Sequence, residues 1–579
     1  VGELPGHGDG VVPRGRELRA GKTRSALART GAVHRELTMR EIPRRDLLKL
    51  ASLAALSSCC PEPVPPCTAG EWRNAIGSLH IKPGMLSAPS SAKELIALIQ
   101  AAEKLNKRVR MTGSGHSFSD VALSDDYMFL PTGLSQPLPL RIVPDRLKPQ
   151  FAADRTLVRV PSGATISAIN SALDQHEPNL GLENLGGYDA QTIAGVMMTA
   201  THGSGLAYGP IAAQVVAFQI VAAGGRMYQI ERTNGISRAE AFPDNKGKLE
   251  ENPEIEFELV QNDDWFNAAA VSMGCMGVVY SVVVKTVPKF WLREVRRRTS
   301  WSSLSANDGY LSKLMRREKL TDKESDPEHV EIYINPYPSK IDGKDDHYCL
   351  VCERYRLSEP PNPTKENQKR GRVGEGQFFA DPKLKELAEK ALVDLLNNKS
   401  KNGVRDLLNA MLWILEDEDY TNVSYRVFNI GDINRFRMLG IEMAFPLAET
   451  IKATELLFKT AKAQRDLERY HSCPVTLRFV KESSFHVAMQ HGRPTTMMEI
   501  GALLHARDSH ELLENYEKVF IDKITGARPH WGLDLSILKS EQKVKDLYPE
   551  WPRWKTVYEK LNASGVFNGR LTERLGISR

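Results

Sequence analysis

The sequence predicts an α+β protein with more than one folded unit, and three observations carry that expectation. A helix, a strand and a glycine-bearing loop follow one another between Ser90 and Phe118. Two further runs crowded with glycine and small residues, 185–205 and 271–284, each adjoin helix- or strand-patterned sequence. From about Phe290 the chain changes character to mixed strands and amphipathic helices, and 579 residues exceed a single core at roughly 150 residues per domain.

The first element of the globular part is a helix over Ser90–Glu103, where a serine cap and an acid a few residues on precede apolar residues at helical spacing. A strand over Lys107–Thr112 then runs into Gly113-Ser114-Gly115-His116-Ser117-Phe118, a turn that presents one imidazole. Two glycines let a backbone turn tightly and approach something flat or anionic, as a cofactor is. The spacing is G-x-G-x-x-F, without the third glycine of a nicotinamide fingerprint, so that reading is rejected. Arg155–Val160 alternates as a strand and Pro161–Asn170 turns into a helix. In the second glycine run, small residues from Leu185 to Gly205 allow a helix start and turn to meet a diphosphate through backbone N–H groups. The third, Val271–Val284, is a glycine-bracketed turn feeding a strand.

Composition narrows the rest. A hydrophobic fraction of 41% and a charged fraction of 26% are ordinary for a globular protein. The net charge is only +5, and the basic residues do not gather into a tract interleaved with aromatics, so no nucleic acid partner is expected. The seven cysteines are too sparse for a disulfide framework. Cys349 and Cys352 have ligand spacing but sit in an apolar strand-like run without a second pair, so they are read as structural, and no metal is expected.

Residues 1–38 show no apolar periodicity, and Met39 is taken as the start. Arg44-Arg45 followed by the short apolar run Leu50–Ser58 has the layout of a twin-arginine export signal, which predicts passage across a bacterial inner membrane to a periplasmic or extracellular location. Leu56-Ser57-Ser58-Cys59 resembles a lipobox, so either cleavage near Ser58 or a lipid tether on Cys59 is expected, with Pro61–Pro66 as a stiff spacer.

The motifs GSGHS, TIAGVMMTATHGSG and MGCMGVV, in that order, resemble the FAD-binding domain of the vanillyl-alcohol oxidase superfamily. The WRNAIG segment at Trp72 and the PHWG run at Pro529 are similar to its aldonolactone and alditol oxidase branch. The resemblance implies a two-subdomain PCMH-type FAD-binding domain with a mixed α/β substrate-binding cap. The expected divisions are 1–58 for the upstream segment and signal, 59–70 for the linker, 71–289 for the FAD-binding domain, 290–545 for the cap and 546–579 for a return to the FAD domain. It also implies FAD held by Gly113, Ser114, Gly115, Ser117, Thr199, Gly203, Ser204 and the backbone around Val278, and joined covalently to His116.

Within the cap, a helix is expected over Pro382–Leu396 and a long surface loop from Leu357 to Glu375. In the strand-like Pro474–Val480, alternation puts Thr476 and Arg478 on one face. The branch resembles this with an acid two places before the arginine, where Thr476 stands here. It also places a lysine after His-Trp-Gly or His-Trp-Ala, where Leu533 stands. Hydride transfer from an alcohol or lactone CH–OH to the flavin is therefore expected, with oxygen or another acceptor reoxidising it. His530 is the candidate base because imidazole titrates near neutral pH, and Arg478 either binds substrate oxygen or stabilises reduced flavin. The alternatives are a dehydrogenase using another acceptor and an exported binding lipoprotein that has lost catalysis. A covalent flavin on His116 predicts that acid-precipitated protein gives a yellow pellet and a fluorescent band on a denaturing gel; a colourless pellet excludes the link.

Overall fold

The computed structural model describes residues 58–59, 70–135, 144–153, 155–321, 325–357, 359–360, 393–394, 396–397, 401–430, 434–435 and 437–578. The export signal, the proline-rich spacer, most of the expected surface loop and most of the expected 382–396 helix lie outside these residues, as does the side chain of Cys59. Among the described residues no helix is long and apolar enough to cross a membrane.

The first layer holds β1 (Met85–Ser87), α1 (Ala92–Lys104), β2 (Val109–Met111) and β3 (Tyr127–Phe129), whose strands form a parallel sheet with β3 in the middle. The expected cap is present. Ser91 Oγ accepts the Glu94 N–H at 3.2 Å and the Glu94 carboxylate accepts the Ser90 N–H at 2.8 Å, so two donors at the helix start are satisfied. Leu95, Ile99 and Ala102, spaced at helical intervals, are buried in one cluster with Val109 and Phe129.

A second layer follows: β4 (Leu157–Pro161), α2 (Ile166–Asp174), α3 (Ile193–Met198), β5 (Val215–Val221), β6 (Met227–Glu231), β7 (Lys246–Lys248), β8 (Glu256–Gln261), α4 (Asp263–Ala269) and β9 (Val278–Lys285). Its strands lie in the order β7-β8-β6-β5-β9-β4, antiparallel except for the β6–β8 pair. The VVYSVVV run of β9 is buried on both faces because helices cover both sides. Val278 and Tyr280 pack with α1, whereas Val279, Val282 and Val284 pack with residues of α3 and α4.

The larger sheet is built from β10 (Trp291–Ser300), β11 (His329–Ile334), β12 (Tyr348–Leu357), then α5 (Lys401–Leu415), β13 (Asp417–Val423), β14 (Met438–Pro446), α6 (Thr450–Asp466), β15 (Val475–Val480), β16 (Thr495–Leu503), α7 (Ser509–Lys523) and β17 (Arg528–Pro529). All eight strands are antiparallel, in the order β13-β10-β12-β11-β15-β16-β14-β17. Period-two alternation sorts its faces. Ile332, Ile441, Leu477 and Ile500 pack with Leu457 of α6 and Leu512 and Phe520 of α7. Glu331, Glu442, Arg478 and Glu499, each one residue out of step with those apolar positions, belong to the opposite face. Cys349 and Cys352 are buried thiols within β12, and Cys352 Sγ donates to Glu294 at 3.3 Å.

The chain ends with α8 (Trp551–Leu561) and α9 (Arg570–Leu575), which bond to elements far earlier in sequence. Trp554 Nε1 donates to the Val271 carbonyl at 2.9 Å, Val109 N–H to the Val566 carbonyl at 2.6 Å, and Arg574 pairs with Asp120 at 2.6 Å. Arg110 joins the same pieces from inside: its buried guanidinium donates to the carbonyls of Val121, Met273 and, at 3.3 Å, Phe567. Arg110→Met leaves these buried acceptors unpaired and is expected to cost on the order of 3 kcal/mol, read as a lower urea midpoint with the cap residues unchanged.

Candidate active site

A cavity of about 350 Å³ lies between the glycine runs and the polar face of the large sheet. Gly113, Ser114, Gly115, His116, Ser117, Thr199, Arg478 and His530 all line it, so most of the residues singled out in the sequence meet in one place.

The first glycine loop is braced from behind by the WRNAIG segment. Ala75 N–H donates to the Gly115 carbonyl at 2.7 Å and the Asn74 amide to the Ser117 carbonyl at 3.1 Å. Gly115 has φ +79, a left-handed conformation that a side chain would strain, and a Cβ on Gly113 would lie 2.9 Å from Thr192 Oγ1 of the second run. The carbonyls are thus turned into the protein. Among the described residues the backbone N–H groups of 113–117 have no partner within the chain. Successive free N–H groups in a cavity wall suit a diphosphate, and the loop fits the expected FAD. His116 packs edge-on against Tyr188, ring centroids 4.5 Å apart, and burial lowers its pKa to about 4, which keeps the imidazole neutral.

Three expected cofactor contacts sit elsewhere. Ser204 Oγ accepts the Phe479 N–H at 3.1 Å and donates to the Val330 carbonyl, so it stitches the second glycine run to β11 and β15. Gly203 is required by packing, since a Cβ there would lie 2.2 Å from the Leu185 carbonyl. Val278 is buried at the start of β9 and packs with α1. None of the three lines the cavity; Met273 and Gly274, just before Val278, do.

The opposite wall carries the charge. Arg478 Nη1 lies 2.6 Å from Glu499 and 3.5 Å from Glu442, and its Nε lies 3.8 Å from Glu331. The acid absent at position 476 is therefore supplied by neighbouring strands: Thr476 pairs directly with Glu499 across β15 and β16. Burial pushes the Glu442 carboxyl up, but its neighbours, His202 first and Arg478 with it, outweigh that and hold the group below its ordinary range.

The two histidines are placed by their partners. His202 faces acceptors on both sides, with Nδ1 2.8 Å from the Gly203 carbonyl and Nε2 3.1 Å from the Glu442 carboxylate. His530 comes from the turn after β17, where its N–H donates to the Glu442 carbonyl at 2.9 Å. Its Nδ1 accepts the Gly532 N–H at 3.0 Å, and burial lowers its pKa to about 4. The ring is thus neutral with its proton on Nε2, a donor toward the site. The side-chain nitrogen and carboxylate oxygen atoms of His202, Glu442 and His530 approach within 4.8 Å of one another, and Arg478 supplies positive charge at their carboxylate. The same turn closes onto the flavin loop, because Phe118 N–H donates to the Gly532 carbonyl at 2.9 Å and Trp531 is fully buried with Nε1 bonded to the Val487 carbonyl at 2.7 Å.

Sequence reasoning missed Glu442, Glu499 and His202. The available signal was a lone acid inside an otherwise apolar strand, as in MLGIEMAFP and TTMMEIGAL, because an unpaired carboxylate is too costly to bury without a partner.

Comparison with known proteins agrees with this arrangement. Residues 83–231 match the family model for an FAD binding domain, and residues 282–575 match that of D-arabinono-1,4-lactone oxidase. The chain is 27% identical over 511 residues to L-gulono-1,4-lactone dehydrogenase of Mycobacterium tuberculosis, covering 87% of this chain and 98% of the relative. It is 23% identical over 498 residues to L-gulonolactone oxidase of Bos taurus, covering 85% and 95%. In fold it is similar to the solved cholesterol oxidase from B. sterolicum, with a TM-score of 0.63 and 14% identity over 89% of this chain and 100% of that one. The expected α+β class with a PCMH-type FAD domain therefore holds, and the enzyme class is an FAD-linked oxidoreductase acting on CH–OH. With just over half of its length matched by that family's model, the chain belongs to the D-arabinono-1,4-lactone oxidase family.

Proposed function

We propose that this enzyme oxidises a CH–OH group to a carbonyl in the cavity described above, with FAD joined to His116 and oxygen taking up the electrons as hydrogen peroxide. The observation that carries the reading is that one cavity joins the Gly113–Ser117 loop to the cluster of Arg478, Glu442, His202 and His530. FAD, when bound, supplies a two-electron acceptor for hydride from the carbinol carbon. Gly113, Ser114, Gly115, Ser117 and Thr199 hold the cofactor at the wall, while Gly203, Ser204 and Val278 act through the loops they pack. His116, kept neutral by burial, has a lone pair free for the covalent bond.

The substrate oxygen accepts from Arg478 and from His530 Nε2–H, and its hydroxyl donates to Glu442. As the C–H bond breaks with its electron pair leaving as hydride, the hydroxyl becomes strongly acidic. A carboxylate held below its ordinary range then suffices to take the proton, and C=O forms. His530 is in this reading a donor rather than the base, because its Nδ1 is already occupied by Gly532. A dehydrogenase passing electrons to another acceptor is the second reading; the favouring observation is that the 27% identical M. tuberculosis relative is a dehydrogenase.

The division into 71–289 with 546–579 as FAD-binding part and 290–545 as cap is supported by the Val109–Val566 and Asp120–Arg574 contacts. Export through the twin-arginine route, ending in cleavage near Ser58 or a lipid on Cys59, is part of the same proposal and rests on Arg44-Arg45 and the run that follows. Anaerobic flavin bleaching, followed by assay of peroxide against dye reduction, tests the reaction and separates the two acceptors. For the proton, His530→Ala is expected to slow anaerobic bleaching by about 100-fold and His530→Gln, which keeps a donor, to recover about tenfold of that. Equal rates for the two variants, with loss of an acid limb near the low pKa of His530, would return the base role to that residue.

A further inference from the structure

The geometry points to a substrate whose oxidised carbon is carried on an apolar body bearing few other hydroxyls, and this rests on the CH–OH oxidation proposed above. The polar groups of the large-sheet wall are gathered at one end, around Arg478, Glu442 and Glu499. Beyond them the lining turns apolar: Met411 and Leu415 one turn apart on α5, Ile430, Met438 at the start of β14, Leu503 at the end of β16, and Leu533 after the His-Trp-Gly turn. Met411, Met438 and Leu503 belong to one packed cluster, so this is a continuous surface rather than scattered side chains.

The small polar groups beside that surface are engaged within the protein. Ser472 Oγ accepts the Leu503 N–H at 3.0 Å, Cys473 Sγ donates to the Gly501 carbonyl at 3.7 Å, and Tyr333 donates its hydroxyl to Glu331 at 2.9 Å. Among the described residues the cavity is lined by no lysine. Its two arginines are Arg478 and Arg110, and the Arg110 guanidinium is spent on backbone carbonyls. A polyhydroxylated ring needs a partner for each hydroxyl that leaves water, and beyond the polar end this wall offers few, Thr476 beside Arg478 among them, so it discriminates against such a ring. A site with a few convergent polar groups and an otherwise apolar lining takes a ligand of the same polarity pattern. The bonds broken are unchanged, one C–H and one O–H at the reacting carbon.

The test is a substrate series on the holoenzyme: 2-butanol, 2-hexanol, 2-octanol and 4-tert-butylcyclohexanol against L-gulono-1,4-lactone and D-arabinono-1,4-lactone. It is followed by anaerobic flavin bleaching and, independently of turnover, by calorimetric binding of 2-octanone. The larger apolar alcohols are expected to exceed both lactones at least about tenfold in kcat/KM, with KM falling roughly threefold per added CH2 until the surface is filled. Leu533→Lys, with Leu533→Gln as a milder partner, is expected to move the ratio at least about tenfold toward the lactones and to weaken 2-octanone binding. Lactones as the better substrates of the unaltered enzyme, with KM flat along the alcohol series, would overturn the inference and leave the oxidation reading standing. Bleaching by neither class would overturn both.

Discussion

Arg478 is the interaction on which the candidate site depends. A buried guanidinium needs acceptors around it, and here they are carboxylates from three other strands: Glu331 on β11, Glu442 on β14 and Glu499 on β16. Each acid reaches the arginine because the strands hold one register, and a slip of one residue would send the charge into the face covered by α6 and α7. Charge pairing and sheet register therefore support each other. The same alternation that makes a core on one side makes chemistry on the other.

The cofactor half of the site was legible in the sequence because it is local. A turn that must bend sharply and expose its N–H groups needs glycine at fixed places, and GSGHS states that in five letters. What lay hidden was assembly across distance. Thr476 read as a missing acid, yet the acid stands opposite it on β16, a pairing that only strand order reveals. The family resemblance implied Ser204 and Gly203 as cofactor contacts, whereas neither lines the cavity and Ser204 bonds the second glycine run to β11 and β15. His530 was rightly placed in the cavity, but its tautomer is set by the N–H of Gly532, and hydrogen-bond direction does not show in residue types.

Family membership and cavity lining speak to different things. The match to the lactone oxidase family reflects the layered architecture and the flavin chemistry that the architecture carries. The apolar lining comes from a handful of side chains on α5, β14, β16 and the turn after His530, positions that can change without disturbing the sheet that presents them. At 22–27% identity to the lactone enzymes, there is ample room for such change.

The His202–Glu442 pair has one more consequence. Glu442 is partnered by His202 at 3.1 Å, and Arg478 by Glu499 at 2.6 Å. The charged groups at the polar end of the cavity are thus paired with one another rather than presented bare. Paired charges project little field into solvent to steer or repel an approaching molecule, so substrate capture is expected to depend on diffusion and fit more than on ionic strength.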